Sequence, residues 1–130
     1  MFDSKTVFSD DELLGRALKN RPSFWDSELN RPSSGFFRVS SGCSFNRQGD
    51  RSRIELIEVT ANQFYSTDGK SKVALLRVIQ LLDMNLFIVK DQGNSINPYH
   101  CCVYQNQQQE KITYANARKL AESCEVVEAE

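Results

Sequence analysis

Leu13, Leu14, Ala17 and Leu18 recur at three- and four-residue spacing behind Ser9-Asp10-Asp11-Glu12. In such a box the Ser hydroxyl and the Glu carboxylate each satisfy a free backbone donor, so the pattern predicts an N-terminal helix from about Asp10 to Lys19. Pro22 and Ser23 restart the chain. Phe24, Trp25 and Leu29 then supply a short second helical turn, which Asn30-Arg31-Pro32-Ser33-Ser34-Gly35 breaks. The aromatic and β-branched run Phe36, Phe37, Val39, Cys43 and Phe45 predicts a strand, closed by the turn signal Asn46-Arg47-Gln48-Gly49-Asp50.

The segment Arg51 to Thr67 carries two patterns. Ile54, Leu56, Ile57 and Val59 suit a strand, whereas Ser52-x-x-Glu55 is a second capping box and Ile54, Ile57, Ala61 and Phe64 fit one helical face. The β-branched composition favours a strand for its first half. After the turn Thr67-Asp68-Gly69-Lys70, Ser71 is placed to cap a central apolar helix on which Ala74, Leu75, Val78, Ile79 and Leu82 recur. Leu86-Phe87-Ile88-Val89 reads as a strand bounded by Asp91-Gln92-Gly93-Asn94, and Tyr99 to Tyr104, beyond Asn97-Pro98, as another. A polar loop, Gln105 to Gln109, precedes a C-terminal helix opened by Thr113 and built on Ala115, Ala117, Leu120 and Ala121. Residues 122 to 130 hold four glutamates and no basic residue, an end opposed by the helix macrodipole and, like residues 1 to 8, expected to be loosely held. The resulting fold class is α+β: one domain over residues 1–130, with a small antiparallel or mixed sheet between these helices.

Composition agrees with a folded chain. With 130 residues, 40% hydrophobic and 25% charged, it can remove roughly two-thirds of its unfolded surface from water around one core. A formal charge of −1 excludes a global field that would steer the chain to nucleic acid or an acidic membrane. Cys43, Cys101, Cys102 and Cys124 show no disulfide spacing. There is no apolar leader, no run near ~18 apolar residues and no Asn-x-Ser/Thr acceptor. These features predict reduced thiols, no membrane partner, and a cytoplasmic protein or one exported by a leaderless route into a host cytoplasm. The acidic end resembles those of some bacterial secreted effectors.

Few residues carry chemistry by spacing. His100-Cys101-Cys102 puts an imidazole beside two thiols, the elements of a nucleophile and its base. Strand alternation would bring His100 and Cys102 to one face and turn Cys101 away, and no orienting acid follows from the spacing. Zinc needs three or four ligands, usually in close pairs, and the cysteines do not supply them. Asp68-Gly69-Lys70-Ser71 ends like a phosphate-binding loop, but the required glycine five residues before Gly69 is Phe64. Neither a metal nor a cofactor is predicted. From Arg16 to Arg53, by contrast, eight basic residues face three acidic ones, interleaved with Phe24, Trp25, Phe36, Phe37 and Phe45. Arginine with aromatics anchors protein interfaces and also tracks single-stranded nucleic acid. The reading is a non-enzymatic protein-interaction or regulatory domain binding another protein through Phe24, Trp25, Arg31, Arg38 and Arg47. Alternatives are nucleic-acid binding through residues 16–53 and a small enzyme using His100 with Cys101 or Cys102.

Overall fold

Two segments whose side chains are buried on both faces, Leu13–Leu18 (β1) and Lys72–Arg77 (β5), lie side by side at the middle of the fold. The computed structural model describes residues 8–19, 21–90 and 99–129. Its other strands are β2 (Trp25–Asp26), β3 (Arg31–Pro32), β4 (Cys43–Arg47), β6 (Phe87–Lys90), β7 (His100–Tyr104) and β8 (Glu125–Val127). Four helices, α1 (Arg53–Ala61), α2 (Tyr65–Asp68), α3 (Val78–Asp83) and α4 (Tyr114–Ser123), complete a single α+β unit. Six strands form one sheet in the order β6-β7-β4-β1-β5-β8, every pairing antiparallel, while β2 and β3 make a separate ribbon.

The expected N-terminal helix over Asp10 to Lys19 is therefore a strand, and the expected central helix from Ser71 begins as one. The cause is the same in both. A strand covered on both faces reads as a continuous apolar run, and such a run satisfies helical spacing without forming a helix. Only Val78–Asp83, the second half of the predicted central helix, is helical. Ser71 precedes a strand and caps nothing, and its backbone N–H donates to Ala61 O at 2.8 Å. The Ser9–Glu12 box also dissolves, because the Glu12 carboxylate turns to Arg47 and Gly49 instead of its own backbone.

The second box is real. Ser52 Oγ accepts from Glu55 N and Glu55 Oε1 accepts from Ser52 N, both at 3.1 Å, so the segment expected to begin as a strand is α1. Capping outweighs β-branching here because Ile54 and Val59 point outward, 72% and 47% exposed, and their stiff side chains crowd nothing. Leu56, Thr60 and Ala61 are its buried face. Phe36 and Phe37 lie in a 3₁₀ turn, Ser34–Phe37, and the strand expected from Phe36 starts only at Cys43. Phe24 ends another 3₁₀ turn, Pro22–Phe24. The strands over 86–89 and 99–104 and the Thr113-capped C-terminal helix match expectation as β6, β7 and α4. Glu125–Val127, within the end expected to be loose, pairs with β5. The turn signals at 91–94 and 97–98 fall outside the described residues.

Register assigns the two faces. Leu14 pairs with Leu76 and Arg47, and Gly15 with Leu75 and Asn46. Leu14, Leu18, Phe45, Ala74, Leu76, Ile88, Cys101 and Val103 thus share a face with Phe36, Phe37 and the Ala117, Leu120 and Ala121 side of α4. On the opposite face Leu13, Val73 and Leu75 meet Leu56 and Ala61 of α1. Gly15 allows α1 this approach, since a Cβ there would stand 3.0 Å from Thr60 Oγ1.

The start of β1 is joined to the end of β4 by a nearly buried ion pair. Arg47 Nε and Nη2 donate to Glu12 Oε2 and Oε1 at 3.0 and 3.1 Å, with the side chains only 13% and 7% exposed. Glu12 Oε2 also accepts from Gly49 N, and the Arg47 guanidinium lies 4.3 Å from the Phe8 ring centroid. Removing one partner strands the other charge away from water, a loss of about 3 kcal/mol or more. Glu12→Ala is expected to lose that much in urea unfolding, while the paired replacement Glu12→Leu with Arg47→Met loses clearly less. Equal losses would show that the charges contribute no coupling.

Candidate functional site

Chemistry-bearing side chains gather in two places, and the first lies on β4 and β7. Asn46 pairs with His100 and Ser44 with Cys102, so these four side chains occupy the α1 side of the sheet. His100 and Cys102 share a face, as alternation requires, and both are half-buried. His100 Nε2 lies 2.7 Å from Ser44 Oγ, a hydrogen bond to a hydroxyl that the sequence did not single out. Cys101 points to the opposite face and is fully buried.

Burial also removes most of the thiol chemistry. Desolvation raises the Cys43 thiol from its ordinary value of 9.0 to about 11, against the attraction of Arg16, and raises Cys124 to about 11 as well. It pushes Cys101 higher still. None of these three supplies a thiolate at neutral pH, so His100 with Cys102 is the only part of the His-Cys-Cys trio with access to chemistry. Among the described residues no three His, Cys, Asp or Glu side chains come together as a metal site.

The arginines predicted to form a binding surface are distributed through the fold and turned onto the protein's own carbonyls and carboxylates. Arg47 holds Glu12, as above. Arg38 Nε donates to Ile112 O at 3.0 Å, and its guanidinium stands 5.6 Å from the Tyr114 ring centroid. Arg16 donates to Phe36 O and Ser44 O, and Arg51 to Gln48 O and Arg47 O. Arg31 approaches Glu122 at 3.8 Å. Phe24 packs on Phe36 with ring centroids 5.5 Å apart. Arg31 and Trp25 remain near each other through the β2–β3 ribbon, which pairs Asp26 with Arg31 and Trp25 with Pro32.

Trp25 is the member of the predicted set that lines the second place, a cleft of about 630 Å³. Its other walls are Leu18, Lys19, Arg21, Pro22, Ser27, Lys70, Ser71, Lys72 and Glu128. The pairing of Leu18 with Lys72 brings the end of β1 to the start of β5, so basic residues from two distant segments line the same cleft as Trp25. Lys72 Nζ lies 5.1 Å from the Trp25 ring centroid, and Lys19 Nζ 3.9 Å from that of Phe64. Among the described residues that line the cleft, Glu128 is the one carboxylate. Sequence reasoning placed Lys19 and Arg21 in the basic 16–53 segment but did not join Lys70 and Lys72 to them, because a helix was assigned where two strands meet. Their only signal is the register of β1 against β5.

Comparison with protein-family models, with curated proteins and with solved structures found no match to this chain.

Two measurements test the thiol assignments. Cys102 is expected to be alkylated first in the folded protein at pH 8, with Cys43 and Cys101 reacting only on unfolding. Because each raised thiol keeps its proton in the folded chain after the unfolded chain has lost it, stability falls as pH rises past about 9. Urea midpoints measured from pH 7 to 10.5 should be level and then decline, and replacing Cys43 and Cys101 by Ala should flatten the decline. A decline that persists unchanged in that variant would remove the thiols as its cause.

Proposed function

We propose that the chain is a non-enzymatic protein-interaction domain that engages a negatively charged partner in the cleft around Trp25. The observation carrying this reading is the convergence of Lys19, Arg21, Lys70 and Lys72 on that cleft, in a protein whose formal charge is −1. A local cluster of cations beside a half-exposed aromatic supplies both the field that attracts an anion and the apolar wall that excludes water from it. The binding set therefore centres on Trp25 with these four cations, with Arg31 nearby on the ribbon. Arg38 and Arg47 act within the fold.

Enzymatic use of His100 with Cys102 is the second reading, favoured by their shared face and by the Ser44 Oγ contact. It has less support, because three of the four thiols are held protonated.

Trp25 is the sole tryptophan, so its emission reports on the cleft directly. Polyglutamate is expected to change Trp25 emission at ~50 mM salt, with the effect weakening steeply by ~0.5 M as screening shortens the reach of the exposed charges. Lys19→Glu with Lys72→Glu should abolish the change, while Arg38→Glu should retain it. An unaltered emission at low salt would overturn the reading.

A further inference from the structure

Beside the cleft lies the outer edge of the sheet. β8 is the last strand in the order β6-β7-β4-β1-β5-β8, and no described strand pairs with its far side. An edge strand presents a row of backbone donors and acceptors that an extended chain can complete. The edge runs into the cleft, since Glu128, the residue after β8, is one of its walls.

The two faces at this edge differ in chemistry. Val127 pairs with Val73 on the α1 side, where Val127, Ala129 and Ile57 are apolar, partly buried and packed against the smaller core. On the other side Val126 pairs with Ala74, and alternation carries Glu128 to that side and into the cleft with Lys72. A segment added along β8 would thus place alternate side chains over an apolar margin and toward a cluster of cations. We infer that the partner is an extended peptide in which acidic and apolar residues alternate, added to β8 as a seventh strand with its carboxylates turned to the side of the sheet that carries Lys72 and the cleft. Glu128 then occupies the cleft as a carboxylate of the chain itself and opposes the incoming ones. A nucleobase is the poorer fit, because Lys72 already stands over the Trp25 ring on which it would stack.

This inference rests on the cleft reading, and the experiment separates the two. The full chain is titrated at ~50 mM salt with a blocked Val-Glu-Val-Glu-Val-Glu peptide, the same peptide N-methylated at every second residue, and oligothymidylate, with Trp25 emission as the readout. The unmodified peptide is expected to bind, N-methylation to weaken it at least about tenfold by removing ladder hydrogen bonds, and oligothymidylate to bind more weakly than the peptide. Glu128→Gln should tighten the peptide roughly two- to fivefold by removing an exposed like charge. Equal binding of the methylated peptide would overturn strand addition while leaving the anionic cleft standing. Tighter binding of oligothymidylate would overturn the peptide assignment, and sedimentation of the free chain as a dimer blocked by Val127→Pro would assign the edge to a second copy instead. If neither peptide nor polyglutamate alters emission, the cleft reading falls with it.

Discussion

Glu12 is the point on which the layers of this fold depend. Its carboxylate takes both donors of Arg47 and the amide of Gly49, its backbone carbonyl accepts from Val78 N at 2.9 Å, and its own amide donates to Ser9 O. One residue thereby ties the start of β1 to the end of β4, to the turn beyond it and to the junction of β5 with α3. Gln48 reinforces the same corner, its amide donating to Leu13 O and its side chain accepting from Leu13 N. A charge so nearly excluded from water persists only when paired and hydrogen-bonded, which Glu12 is at both oxygens. The geometry needed to satisfy it fixes which residues of β1 oppose which residues of β4, and hence which faces the apolar side chains occupy.

The same use of arginine recurs around the sheet. Arg16 reaches Phe36 O and Ser44 O, Arg38 reaches Ile112 O, and Arg51 reaches Gln48 O and Arg47 O. Each donates to main-chain carbonyls of other segments or of the turn beside it, as a planar guanidinium with several donors is suited to do. Four of the eight basic residues between 16 and 53, Arg16, Arg38, Arg47 and Arg51, are thus engaged within the fold. Of the four basic residues that line the cleft three are lysines, whose flexible stems and hydrated heads suit a cleft more than a loop.

How much of this was legible follows from where the sequence signals were local. The α4 helix, with its Thr113 cap and an Ala117, Leu120 and Ala121 face, and the strands β6 and β7 are written in adjacent residues, and they form as read. The shared face of His100 and Cys102 follows from alternation alone. β1 and β5 were misread because their neighbours on both faces come from elsewhere in the chain, so their apolar runs carry no alternation. The capping box at Ser9 failed for a related reason, since Arg47 is 35 residues away from Glu12. The basic cleft was illegible for the same cause, as Leu18 meets Lys72 only through a pairing that the helical reading had excluded.

The acidic end shows how one misassignment altered the functional picture. Read as a frayed helix terminus, Glu122, Glu125 and Glu128 are solvated charges with nothing to oppose them. With β5 as a strand they acquire neighbours: Glu122 lies 3.8 Å from Arg31, Glu125 contacts Arg53 at 2.7 Å, and Glu128 enters the basic cleft. Exposed pairs of this kind add little stability each. It is the ladder with β5 that sets β8 beside Ile57 of α1 on one face and the Lys72 cleft on the other. A sheet edge, an apolar margin and a cationic cleft are then contiguous, which is why the binding reading and the identity of its partner are argued from the same few residues.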